Sequence, residues 1–245
     1  MARAVVLHRW PWQEHGLLLD LFTEDSGRVR AISKYARSRR SSLRATLEPF
    51  TLIDIDLKGR GEVKTLSRAE SIQNFPLRHV HLYSGLYLNE LLQRLLPELT
   101  DLPGLFSDYV KSLTLLSETQ VIEPVLRQFE YRLLSHLDLD FSFTHDADNG
   151  SVIEPHGLYR FVAGNGFIPA NSDNESLHVA EDVVTASSQQ WLLSGEEITV
   201  LGQFQLENPQ VLKQFKQLMR NAYAPLLGSK PLRSRELLLA AVQNK

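Results

Sequence analysis

Through the first 75 residues the apolar positions come in short bursts at strand spacing. Residues 3–8, 16–23 and 28–33 each have an aliphatic centre. Residues 51–57 alternate cleanly, with Ile53, Ile55 and Leu57 on one face and Asp54 and Asp56 on the other. Gly59-Arg60-Gly61 supplies a hairpin turn into a fifth run at 62–68. Trp10-Pro11-Trp12 and Asp25-Ser26-Gly27 are the turn signals between the earlier runs. Five short strands in about 70 residues predict a small Greek-key barrel of the OB type.

After Pro76 the period changes from two to that of a helix. Leu82, Tyr83, Leu86, Tyr87, Leu91, Leu92, Leu95 and Leu96 form one stripe, stopped by Pro97. A second helix is predicted over 103–118. A third starts at Glu123-Pro124, with proline at the first helical position, and runs to about 137. Residues 138–180 lose the helical period and are rich in Asp, Asn, Gly and Ser, with a small hairpin at 158–162 and 166–169. Helical spacing returns after about 183. Asn208-Pro209 is an N-cap and first-turn signal for a later helix that ends before Gly228. A short last helix covers 233–242. The predicted class is α+β and multi-domain. An OB-fold β-barrel (1–78) precedes an all-helical domain (79–137 plus 183–245), and an irregular β-hairpin insertion occupies 138–182.

Composition narrows the chemistry. The 245 residues contain no cysteine, which excludes disulfides, cysteine-based zinc sites and a thiol nucleophile. No apolar run reaches the 18 or so residues of a membrane helix, and the first 20 residues lack a signal-peptide pattern. The expected setting is cytoplasmic, with no membrane partner. The formal charge of −3 argues against a nucleic-acid protein until it is divided along the chain. Residues 1–80 carry 14 Lys+Arg against 9 Asp+Glu, residues 81–200 carry 5 against 18, and residues 201–245 carry 7 against 2. A basic end on an acidic body points to a polyanion. Between Asp25 and Glu48 there is no acid, yet there are seven bases: Arg28, Arg30, Lys34, Arg37, Arg39, Arg40 and Arg44. The alternative is a solvated loop whose charges answer the acidic body of the same chain, but such a face usually interleaves acids, and here they are missing. Arginine forks onto phosphate oxygens and stacks on bases. The predicted nucleic-acid surface is this set, with Arg60 and Lys64 beside it on the hairpin and Tyr35 as a stacking platform. Trp10 and Trp12 are candidates for base stacking or for turn packing.

Several motifs taken in order resemble the RecO family of bacterial DNA repair proteins. They are Gly27-Arg28-Val29-Arg30; Lys34 followed by Ala36-Arg37-Ser38 and Arg40; Glu48-Pro49-Phe50; Gly59-Arg60-Gly61-Glu62-Val63-Lys64-Thr65-Leu66; Leu82-Tyr83-Ser84-Gly85-Leu86-Tyr87; Asn89-Glu90-Leu91-Leu92; and the stretch from Leu227 to Leu237. The resemblance implies an N-terminal OB-fold and a helical body. It also implies a nucleoid-associated mediator that binds single- and double-stranded DNA and anneals complementary strands. Implied partners are RecR and, through loading onto DNA covered by single-stranded DNA-binding protein, RecA, together with RecF. Many family members carry a four-cysteine zinc module; this chain does not, so no cofactor is expected. The resemblance further places a receptor for the acidic tail of single-stranded DNA-binding protein at Arg127, with Leu126 and Phe129 lining an apolar pocket. The alternative at Arg127 is pairing with Glu123 or Glu130 on its own helix.

Two other functions stay in view. Asp138, Asp140, His145, Asp146, Asp148 and His156 have ligand chemistry for a divalent metal, as in a metal-dependent nuclease, but also suit a polar surface loop. An OB barrel also serves RNA-binding proteins. No nucleotide-binding or catalytic-triad motif is present, and the expected activity is non-enzymatic. Lys230, Arg233 and Arg235 make a second basic cluster, open to DNA contact or to pairing with the acidic body.

Overall fold

A computed structural model describes residues 2–38, 41, 43–171 and 191–243. Five strands close a barrel: β1 (Ala2–Trp12), β2 (Gly16–Thr23), β3 (Gly27–Ser33), β4 (Thr51–Lys58) and β5 (Val63–Asn74), in the order β1-β2-β3-β5-β4 and back to β1. All pairings are antiparallel except β3 with β5, where Arg30 faces Val63 and Ile32 faces Thr65. The predicted OB-type barrel is therefore present. Its interior is filled by Ala4, Val6, Leu17, Leu19, Leu21, Ala31, Ile53, Ile55 and Leu66 among others. Gly27 starts β3 at φ 64, and a Cβ there would lie 1.9 Å from the Thr100 carbonyl oxygen. Glycine is required at that position by both conformation and space.

Trp10-Pro11-Trp12 is not the first turn. It continues β1, and the reversal falls at 13–15, with Gln13 at φ 50. β1 pairs with β4 only through Ala2–Val5, so beyond that its far edge has no strand, and a proline without an N–H is tolerated there. A bulge between Val6 and His8 also shifts its register. The connection between β3 and β4 contains a one-turn helix, α1 (Leu43–Thr46), whose first residue Leu43 and the following Leu47 pack on the barrel core.

Helices α2 (Val80–Leu95), α3 (Leu105–Glu118) and α4 (Ile122–His136) follow the predicted stripes. In α4 Pro124 is the third helical residue rather than the first. The first-turn amides have no intrahelical partner, so the substitution costs no hydrogen bond. The remaining elements are β6 (Leu158–Val162), β7 (Gly166–Pro169), β8 (Leu192–Ser194), α5 (Gly195–Gly202), α6 (Pro209–Leu227) and α7 (Arg233–Gln243). Helix α6 is capped by Asn208 as expected. Of the residues expected to be helical after 183, those up to 190 lie outside the described residues. Leu192–Ser194 forms a third strand, β8, on the predicted hairpin, because Leu193 sits in register with Tyr159 and both are buried.

Two compact units result, one of residues 1–132 with 229–245 and one of 133–228. In the second, Phe141, Phe143, Phe161, Phe167, Phe204 and Phe215 form a network of rings with centroids 4.8–6.3 Å apart. In the first, Asn89 of α2 donates to the Leu7 carbonyl of β1 at 2.9 Å and accepts from the Tyr109 hydroxyl of α3 at 2.6 Å. Burial pushes the Tyr109 pKa far up, so this hydroxyl stays a donor.

The next residue, Glu90, ties α7 into the same unit. Its carboxylate accepts from Arg233 N at 3.0 Å, Ser234 N at 2.9 Å and Ser234 Oγ at 2.7 Å, and it pairs with Arg94 at 2.8 Å. Partial burial by itself raises the Glu90 pKa, but the Ser234 and Arg233 hydrogen bonds and the Arg94 charge outweigh it, and the pKa is lowered. A carboxyl depressed in the fold contributes stability that is full above its unfolded value and lost as pH falls through the folded one. Hydrogen exchange in α7, corrected for its intrinsic pH dependence, is therefore expected to accelerate as pH falls below the ordinary glutamate range. Glu90→Ala should produce the same release at neutral pH; slow α7 exchange in that variant would refute the clamp.

Candidate nucleic-acid interface

The basic connection between β3 and β4 is fastened to the barrel at Ala36 and again at Leu43 and Leu47. Ala36 is fully buried in the barrel core, and Arg37 N donates to the His15 carbonyl at 2.9 Å, fastening the turn to the β1–β2 reversal. Ser38 N closes the turn onto the Tyr35 carbonyl at 3.1 Å. Lys34, Tyr35 and Arg37 are exposed around this anchor, and Arg44 is exposed on α1. Among the described residues Lys34, Arg37 and Arg44 have no ion pair. Tyr35 is 69 % exposed, which leaves its ring open to stack. Arg39 and Arg40 lie outside the described residues.

Arg60 is exposed at the β4–β5 turn, and Lys64 Nζ donates to the Gly59 carbonyl at 3.3 Å. Lys64 sits in register with Ala31, three residues before Lys34. The hairpin cations thus flank β3 rather than the turn that follows it. Arg30 lies at this end of β3, and its Nη2 meets Glu98 at 2.9 Å, so its charge is largely answered. Trp10 is 39 % exposed and lies edge-on to His8 with centroids 4.4 Å apart; Trp12 is half-buried.

Two expected site groups are corrected by their surroundings. Arg28 is not a free phosphate ligand. Its Nε donates to the Asp20 carboxylate at 2.9 and 3.2 Å and its Nη1 to the Leu96 carbonyl at 3.2 Å. Asp20 is fully buried and also accepts from Gln93 at 2.9 Å. Arg28 is therefore a structural strap between β3 and the segment after α2, reinforced by Leu99 N donating to the Arg28 carbonyl at 2.9 Å. Glu98, the counter-charge of Arg30, has no local sequence signal because the pair is brought together by tertiary structure alone.

The expected tail receptor is the second. Arg127 is buried and pairs with Glu130 at 2.8 Å, one helical turn on; Glu130 also accepts from the Tyr87 hydroxyl at 2.5 Å. Phe129 is fully buried against Tyr109, with ring centroids 6.2 Å apart. Only Leu126 of the three keeps partial exposure. Arg127 thus takes the intrahelical pairing, and Phe129 is core rather than pocket lining.

The Asp/His loop folds by turn chemistry. Buried Asp146 accepts from Asp148 N and Asn149 N, both at 2.9 Å, and His145 Nδ1 meets the Thr144 hydroxyl at 2.9 Å. Among the described residues no three His, Asp or Glu side chains converge as metal ligands. None of the described helices is long and apolar enough to cross a membrane.

A family model for the N-terminal part of recombination protein O matches residues 1–75, the whole barrel, and one for its C-terminal part matches residues 79–236. The DNA repair protein RecO of Idiomarina loihiensis is 40% identical over 238 residues, covering 96% of each chain. Those of Shigella flexneri and Escherichia coli are 42% identical over 238 residues, covering 96% of this chain and 92% of theirs. A barrel with exposed Lys34, Arg37 and Arg44 beside it, matched over nearly the whole chain in this way, leaves one assignment: the chain belongs to the RecO family of DNA repair and recombination proteins.

Proposed function

We propose that this protein binds single- and double-stranded DNA without sequence preference, anneals complementary strands, and with RecR helps load RecA onto DNA coated by single-stranded DNA-binding protein. A cytoplasmic, nucleoid-associated place follows from that role. The observation that carries the DNA-binding reading is the β3–β4 connection: Lys34, Arg37 and Arg44, exposed and without an ion pair among the described residues, around an exposed Tyr35 on the barrel. Phosphate contact by such cations is indifferent to sequence, and base stacking on tyrosine is nearly so. Annealing makes and breaks no covalent bond. Its barrier is repulsion between two polyanions plus the search for register, and cations that displace counterions lower the first. RecR, RecA and RecF enter by likeness to the family, as does the tail of single-stranded DNA-binding protein, for which buried Arg127 is not offered as the receptor.

The test is annealing of two labelled complementary oligonucleotides in EDTA, at a salt concentration near 50 mM. The expected result is acceleration of tenfold or more, with both strands at full length after parallel incubation in Mg²⁺ or Mn²⁺. No acceleration would refute the annealing role, metal-dependent shortening would favour a nuclease, and a marked preference for matched RNA strands would favour an RNA-binding role.

A further inference from the structure

The last 17 residues carry the basic cluster Lys230, Arg233 and Arg235. Their backbone is occupied by α2. Glu90 takes the amides of Arg233 and Ser234, while Arg94 donates to the carbonyls of Lys230 at 2.8 Å and Pro231 at 2.6 Å. The acid that might have neutralised this segment is thus bound to backbone. The side chains of Lys230, Arg233 and Arg235 are exposed, with no ion pair among the described residues.

The clamp also brings the start of α7 to the part of α2 that holds β1. Asn89, next to Glu90, donates to the Leu7 carbonyl of β1, while Glu90 holds Ser234 of α7. Electrostatics agrees. The His8 pKa is lowered first by loss of water and further by the charges of Arg233 and Arg9, against an opposing pull from Asp20. His8 and Trp10 share the outer face of β1. Arg9 lies on the other side, paired in register with the core residue Leu19, and reaches Glu48 at 2.5 Å and the Arg44 and Leu47 carbonyls at 3.4 Å. β1 therefore meets the β3–β4 connection through Arg9 and Arg233 of α7 through His8. The β3–β4 connection with Tyr35 lies at the barrel end, and the start of α7 with the His8–Trp10 pair lies on the outer face.

We propose that Lys230, Arg233 and Arg235, together with the His8–Trp10 pair, form a second single-stranded DNA site that holds one strand while the β3–β4 connection holds the other. This rests on the annealing reading above and adds a place for the second strand. Three cations at a helix start give phosphate contacts, and the half-exposed indole gives a sequence-tolerant stack.

The experiment immobilises a dT oligonucleotide, loads the full-length protein, washes, and measures capture of a second, labelled dT oligonucleotide; the strands cannot pair with each other. Wild type should capture the second strand. The triple variant Lys230→Glu, Arg233→Glu, Arg235→Glu should load on the immobilised strand within about twofold of wild type and lose capture at least tenfold. Trp10→Ala, which leaves α7 untouched, should reduce capture about fivefold and so covers misfolding of the triple variant. Capture by the triple variant at wild-type level overturns the second site, as does loss of loading and capture in equal measure, or a wild type that loads but never captures. A wild type that fails to load at all refutes the DNA-binding reading instead.

Discussion

Replacing Arg37 and Arg44 with alanine is expected to flatten the salt dependence of DNA binding rather than merely weaken it. If about five phosphates are neutralised in wild type, log K falls against log salt with a slope of roughly −3.5 on single strands. Affinity then drops about a hundredfold between 50 and 200 mM salt. Removing two of those contacts brings the slope to about −2, and the same change in salt costs only about twentyfold. Both side chains are exposed and have no ion pair among the described residues, so the melting temperature should stay within about 2 °C of wild type. The loss should be uniform across DNA sequences, because phosphate contacts carry no base information. A slope unchanged in the double variant, measured by fluorescence anisotropy over that salt range, would remove the connection from the interface.

Arg28→Ala should do the opposite: cost stability and spare the slope. The substitution leaves the Asp20 carboxylate, fully buried, with Gln93 as its remaining named donor, and frees the Leu96 carbonyl. Removing one partner of a buried ion pair costs about 3 kcal/mol or more, far above the 0–1 kcal/mol of an exposed pair. For a chain of this size that is a fall of roughly 6–12 °C in melting temperature. Arg28→Ala/Asp20→Asn should recover part of it, since the amide leaves no buried charge. Normal stability with a flattened salt slope would return Arg28 to the DNA surface. Because Arg28 and Arg37 sit in the same acid-free run, the two variants together separate an internal cation from an external one.

The strand periods of β2, β3 and β4, the helical stripes of α2 to α4 and the Asn208 cap of α6 were legible along the chain. Each is a local agreement between side-chain spacing and backbone period. The basic connection was legible for the same reason: a stretch without acids and without apolar period cannot be core. Trp10-Pro11-Trp12 is ambiguous along the chain because proline signals both a turn and a strand edge, and only the missing neighbour beyond Val5 of β1 decides between them. The third strand β8 was missed because three residues carry too little period to declare a strand; its pairing with β6 makes it one.

Charge sign is a property of the sequence, but whether a charge is free is a property of its neighbours. Nothing within the run from Arg28 to Arg44 distinguishes the arginine that straps Asp20 to the Leu96 carbonyl from the one that faces solvent. Asp20 is eight residues from Arg28 and Leu96 is 68. Arg127 likewise carries two compatible partners on its own helix and a helix start behind it, and only burial beside Phe129 and Glu130 selects the internal pair. The composition at 201–245 shows excess cations without saying where they go. It is the Glu90 carboxylate, 143 residues before Arg233, that binds the backbone of α7 and leaves the Arg233 side chain without an ion pair among the described residues. Local periods are written in nearest neighbours and survive reading in one dimension, whereas the ionic partners of this chain are assigned by contacts that exist only after the barrel has closed.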